Sequence, residues 1–312
     1  MPRISKKKVP AELRQLIPFA QRFGARDGMV RERLCAEASK EELSALATLV
    51  EGHEQILIGW LERLDPHSEE FTAFAGLRDC SMTGVLGLLL RLHEHAPGRL
   101  TKRKLRLFAV ACCYRIWHLI PDPRSKCGVE FVERYADGLA TVGDLDMARR
   151  SMPHSSCALA EPVYLRARDA DSAAHCTVVP DDQFDFFMAQ TVAESAAKAV
   201  AHSALGDAAV MDQARLVEEY QQTRLLRDIF SNPFQPVSLD RAWFSRKVKT
   251  LAQAIYDERA FERMPELADA LAEAGCSNQD ILSHCRGPGP HIRGCWVVDL
   301  VLDWFSARRA QR

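Results

Sequence analysis

Charge of one sign, strand-like alternation and long apolar runs are all scarce in this chain. Lysine and arginine (41) nearly balance aspartate and glutamate (42) over 312 residues. No whole-molecule field therefore draws the protein to nucleic acid or to an anionic membrane, and binding of that kind would have to be local. The most apolar runs, Val85 to Leu90 and Cys295 to Phe305, fall short of the roughly 20 residues that cross a bilayer, and the second carries Asp299 and Asp303. No membrane segment is expected. The N-terminal MPRISKKKVPAEL has basic residues with no apolar stretch behind them, so secretion is not expected and the protein reads as cytoplasmic. Its ten cysteines are then expected to be reduced thiols. Also missing are G-x-S-x-G, G-x4-G-K-[ST], H-E-x-x-H, an EF-hand loop and a dinucleotide fingerprint, the motifs that would name a common chemistry.

What is present is helix signal. Hydrophobic residues make up 47% of the chain, enough for a sizeable core, and the only strand-like scrap is Cys176 to Val179. Ser39 with Glu42 forms a capping box ahead of a stripe of Leu43, Leu46, Leu49, Ile56, Leu57, Trp60 and Leu64 at helical spacing. A further helix over Glu69 to His95 is weakened by Gly76, Gly84 and Gly87. Pro97-Gly98 punctuates the chain, and the segment boundary is placed there. Beyond it, Thr101 caps Lys102 to Ile120, Asp122-Pro123 starts Arg124 to Asp137, and Thr141 with Asp144 caps a helix to Arg150. Met152 to Pro162 reads as loop. An Ala-rich helix is expected from Asp181 to Leu205, then Asp207 to Phe230, Leu239 to Tyr256 capped by Ser238, and one from Pro265 to about Gly275. The last two expected are a short helix capped by Ser277 and a final one from His291 to about Arg308. The fold expected is all-α, a multi-helix array in two packed helical modules, residues 1–97 and 98–312.

Several segments carry a resemblance: KLRLFAVACCYRIWHL from Lys104, ERYADGLA from Glu133, RDIFSNPF from Arg227, AIYDERAF from Ala254, and HCRGPGPHIRGCWVVDL from His284. Across roughly residues 101–302 the chain resembles a family of proteins common in planctomycete bacteria. That family has no assigned activity or catalytic residues, so the resemblance implies kinship and no function.

The strongest chemical candidate is the Cys/His-rich stretch with Cys276, His284, Cys285, His291 and Cys295. With the last helix starting at His291, that residue and Cys295 would share a face, and the Gly-Pro-Gly-Pro turn could fold Cys285 back toward them. Zinc takes four N or S ligands in a structural site, or three plus water in a catalytic one, and Cys276 or His284 could complete the set. The competing reading is buried thiols with hydrogen-bonded histidines, since free cysteine behaves as a small hydrophobe. The turn itself is no phosphate loop, because Pro288 and Pro290 have no N–H to donate.

Other groups are weaker. Cys112 and Cys113 cannot easily serve one ion from an unbroken helix with His118, and Leu105, Phe108, Cys112 and Ile116 follow a core stripe. Asp299 and Asp303, one turn apart, could do acid/base work if their environments split their pKa values, or could meet arginines such as Arg293, Arg308 and Arg309. Basic clusters occur at Arg3 with Lys6 to Lys8 and at Arg99, Lys102, Arg103, Lys104 and Arg106, without the pattern of a nucleic-acid reader. Two functions are open: a non-catalytic interaction or regulatory protein with a protein partner, or a zinc-dependent protein or enzyme with its site in the 284–299 turn.

Overall fold

A computed structural model describes residues 4, 6–23, 49, 53, 56–57, 59–65, 68–71, 73–74, 98, 100–152, 163–204, 206–230 and 240–309, with residues 163, 241 and 303–309 described by backbone alone. The boundary expected near residue 97, the Ser39–Glu42 capping box, the Ser238 cap and the Asp303 side chain lie outside the described residues. Helices pack on helices, and no strand occurs among the described residues. The protein is an all-α multi-helix array. No helix among the described residues is long and apolar enough to cross a membrane.

Local chemistry starts most helices where side-chain caps stand. After a 3-10 turn over Ala11–Leu16, α1 spans Ile17–Phe23. The Thr101 hydroxyl accepts the N–H of Lys104 and opens α2, Lys102–Arg115. Asp122 accepts the N–H of Arg124, and Pro123 occupies the first turn of α3, Pro123–Ala136, where its missing donor costs nothing. Thr141 and Asp144 form the reciprocal capping box of α4, Val142–Ser151.

The remaining elements are α5 (Val163–Thr177), α6 (Phe186–Ser203), α7 (Ala208–Phe230), α8 (Arg246–Glu258), α9 (Met264–Glu273), α10 (Gln279–Arg286) and α11 (Trp296–Arg309). Several boundaries differ from expectation: α2 ends at Arg115 rather than Ile120, α6 starts at Phe186 after an Asp185 cap rather than at Asp181, and α8 starts at Arg246 after a Ser245 cap rather than at Leu239. Residues 163–177, given no element by the sequence, form α5, because Ala170, Ala173 and Ala174 fit without clash against the Ala-rich face of α6. Cys176 ends that helix rather than starting a strand. The cap of α10 is Asn278, whose amide oxygen accepts from Asp280 and Ile281, and α11 begins at Trp296, not His291.

Two apolar clusters frame the Cys/His-rich turn. One gathers Leu107, Phe108 and Cys112 of α2, Val129 and Val132 of α3, alanines of α5 and α6, and Leu226, Ile229 and Phe230 of α7. The other gathers Val248 and Ile255 of α8, Met264 and Leu267 of α9, Ile281 and Cys285 of α10, and Cys295, Val297 and Val301 around α11. The end of α7 and the 287–295 turn meet where these clusters adjoin. A third cluster packs Leu13, Leu16, Leu57, Trp60 and Phe74 against Leu216 of α7.

Basic residues of α2 are spent inside the protein. Arg106, 1% exposed, donates to the carbonyls of Thr177 and Val179 at 2.7 and 2.8 Å and to Asp181 at 2.8 Å. It thereby satisfies acceptors that the C-terminus of α5 leaves open. Its guanidinium lies 4.2 Å from the ring centroid of Phe184, a desolvated cation–π contact.

Candidate metal centre

The last turn of α7 carries Asp228 between Leu225, Leu226, Ile229 and Phe230, all buried. A carboxylate set in such a stripe must find partners. One oxygen, Oδ2, accepts the backbone N–H of Ile292 at 2.9 Å. The other, Oδ1, lies 2.8 Å from Nδ1 of His291 and 3.2 Å from Nε2 of His284. The same Nε2 lies 3.2 Å from the Cys295 thiol sulfur. Asp228, His284, His291 and Cys295 thus offer four donor atoms, all within 4.8 Å of one another.

The turn that gathers them depends on glycine. Gly294 has φ +90°, and a Cβ there would lie 2.9 Å from Leu107 Cδ1. A side chain is therefore excluded both by backbone conformation and by the close approach to α2. Gly289 has φ +72° and would place a Cβ 2.9 Å from the backbone nitrogen of His291. Arg224 of α7 clasps the turn by donating to the Gly289 carbonyl. The Cys295 N–H bonds back to the Ile292 carbonyl at 2.9 Å, so Cys295 stands at the threshold of α11.

The electrostatics are those of a buried anion with conditional partners. Burial alone would raise the Asp228 carboxyl, but the hydrogen bonds and charges of His284 and His291 outweigh it and hold it below the ordinary value. Burial, with the Asp228 charge adding to it, pushes the Cys295 thiol well above its ordinary value. His291, with an 8% exposed side chain, keeps its Nε2 buried without a hydrogen-bond partner among the described residues.

Of the residues singled out from sequence, His284, His291 and Cys295 come together; Cys276 and Cys285 do not join the four-donor group. Both are buried in the α8–α11 cluster, and burial reinforced by Asp228 pushes the Cys285 thiol to about 12. His291 and Cys295 converge through the glycine turn rather than along a helix face, since α11 starts after both. Sequence reasoning does not single out Asp228: it lies 56 positions before His284, a carboxylate inside an apolar helical stripe and within the Arg227 segment that carries the family resemblance. Cys112 and Cys113 are core residues, whereas His118 is exposed.

Asp299 sits elsewhere. The Arg103 guanidinium grips it at 2.7 and 3.2 Å and also reaches the Tyr256 hydroxyl at 2.7 Å and Asp137 at 3.1 Å. Tyr256 donates to Asp137 at 2.6 Å, while Arg293 and Arg259 serve Glu133 and Asp137 from the other side. Asp299 is thus paired with Arg103 of α2, with Lys104 at 3.8 Å, while Arg293 reaches Glu133 and Asp137 instead; the side chains of Arg308 and Arg309 lie outside the described residues.

Fold and cluster together define an all-helical protein with a partly buried Asp/His/His/Cys donor set at a helix junction. No family model, curated protein or solved structure matches the chain.

Proposed function

We propose that this is a metal-dependent protein whose Asp228, His284, His291 and Cys295 hold one zinc ion. The observation that carries the reading is the convergence of two imidazoles, a thiol and a carboxylate oxygen within 4.8 Å. Bonds of about 2.0–2.3 Å make a tetrahedron with edges of roughly 3.3–3.7 Å. The three short spacings of 2.8–3.2 Å open by a few tenths of an ångström to reach it, and the others, at most 4.8 Å, close by up to about 1.5 Å. Imidazole, thiolate and carboxylate are the donors zinc takes, and Asp228 with a Cys295 thiolate would neutralise its charge. The Ile292 N–H on Oδ2 orients Asp228 so that Oδ1 faces the cluster, the outer support that metal ligands usually have. The ion would tie the end of α7 to α10 and α11, joining two apolar clusters at their seam.

Metal analysis of the purified protein tests this. About one equivalent of zinc is expected, and cobalt substitution should give the intense visible bands of a tetrahedral thiolate site. Asp228→Asn and Cys295→Ser should each lower the content below about a tenth of an equivalent, whereas Cys276→Ser should keep it. Native protein without metal, folded and unresponsive to added zinc, sinks the proposal.

A second reading, docking of a protein partner, is favoured by Leu139, Val142 and Met147, exposed at 64%, 65% and 65% on and just before α4. Its test is whether Leu139→Ser with Met147→Ser abolishes a complex that wild-type protein forms.

A further inference from the structure

Beside the donor cluster lies a cavity of about 530 Å³, within the roughly 300–1,000 Å³ of small-molecule sites. Asp228, His284 and His291 form part of its wall, the 287–290 turn another part, and Arg224 and Arg227 project from the same face of α7 one turn apart. Among the described residues lining it, Asp228 is the only carboxylate. Arg224 donates to two neutral acceptors, the carbonyl of Gly289 and the amide oxygen of Gln221.

We propose that this cavity binds a small molecule through an oxyanion, a carboxylate or a phosphate group, held by the guanidinium group of Arg224 beside the metal centre. Charge decides the sign of the ligand. Arg224, whose two acceptors are neutral, adds a positive charge to the wall, and a zinc ion on Asp228 would offset that carboxylate. Guanidinium presents a planar fork of donors that matches carboxylate and phosphate oxygens. This rests on the metal reading for the charge of Asp228, while Arg224 belongs to the cavity with or without the ion.

The experiment is calorimetric titration of inorganic phosphate and, separately, acetate into the native protein and into protein stripped by chelator, with metal content measured on each sample. Saturable binding of at least one probe to metal-loaded protein is expected, in the millimolar range or tighter for such small ions. Binding of phosphate alone or acetate alone identifies the group. Arg224→Gln should weaken it at least about tenfold with the metal retained, and Arg224→Lys should recover part of the loss. Because Arg224 also clasps the turn, Ile56→Trp provides a second variant: Ile56 lines the cavity from outside the donor set, and a larger side chain there should weaken binding while the metal stays. Neither probe binding wild-type protein at about 10 mM, or both variants binding as well as wild type, overturns the proposal. Metal present without oxyanion binding removes the oxyanion site alone; oxyanion binding that needs Arg224 in a protein that takes up no metal removes the zinc reading alone.

Discussion

Asp299 and Asp228 are both buried carboxylates at helix junctions, but their surroundings differ in kind. Around Asp299, three guanidiniums (Arg103, Arg259, Arg293) face three carboxylates (Glu133, Asp137, Asp299). With the Lys104 ammonium 3.8 Å from Asp299, the cations are permanent and answer these carboxylates within the chain. Around Asp228 the partners are two imidazoles, a backbone N–H and, through His284, a thiol. None of these is a permanent cation, and both imidazoles and the thiol become metal donors once deprotonated. A buried carboxylate answered by arginine is neutralised within the chain; one answered by imidazole and thiol stands among groups that are themselves metal donors.

The comparison breaks most sharply if stability and metal content fail to separate. Arg103→Met strands Asp299 and Asp137 without their main cation, and urea unfolding should show a loss of about 3–5 kcal/mol with the zinc equivalent unchanged. Chelation should act the other way round, leaving the arginine network intact and removing the stabilisation due to the ion, about 4 kcal/mol where free zinc exceeds its dissociation constant a thousandfold. Equal metal loss in Arg103→Met and Asp228→Asn would erase the distinction.

Gly294→Ala probes the turn that only the metal cluster depends on. Its φ of +90° and the 2.9 Å approach to Leu107 should cost roughly 1–3 kcal/mol by thermal or urea unfolding. Zinc affinity should fall with it, because His291 and Cys295 flank the strained position.

The two clusters should also answer pH in opposite directions. Asp228 is held below 3.8 in the folded state, so its contribution is present above that value and lost as pH falls through the folded pKa. Glu133 is raised above 4.5, burial being the largest cause; the folded state keeps a proton the unfolded chain has released, so its contribution to stability falls as pH rises through that window. Acid unfolding curves of Asp228→Asn and Glu133→Gln against wild type check both signs. At neutral pH the Cys295 thiol is protonated, so zinc uptake should release about one proton into weakly buffered solution, and apparent affinity should drop about tenfold per unit of acidification.

The smallest effect is expected at Cys285. Although buried among α8–α11, it lies outside the donor group, so Cys285→Ser should cost about 1–2 kcal/mol from burying a hydroxyl and leave metal content and the cobalt spectrum unchanged. A change in that spectrum would add Cys285 to the site.

Helix starts are legible in the sequence where a side chain a few residues away supplies the cap: Thr101, Asp122 and Thr141 all do what their spacing predicts. Helix α5 is not, because it lacks a capping signal and owes its place to alanines packed on α6. The donor site is half legible. Local density of cysteine and histidine points to the 276–295 stretch, and three of its five candidates, His284, His291 and Cys295, converge. Nothing local separates Cys295 from Cys285, since both are buried thiols near histidine. The choice depends on the direction in which the glycine turn sends the chain past α2 and α7.

The sequence alone therefore determined the class of fold and the neighbourhood of the site, because helical periodicity, caps and clustered donors are properties of residues within one or two turns of each other. Tertiary structure decided which donors meet. Asp228 belongs to a helix that ends 54 residues before His284, and only the packing of α7 against the 287–295 turn brings its carboxylate to the imidazoles. The same packing sends Asp299 to Arg103, 196 positions away. Long-range electrostatic partnership is set by which helix faces adjoin, a quantity that no local pattern encodes.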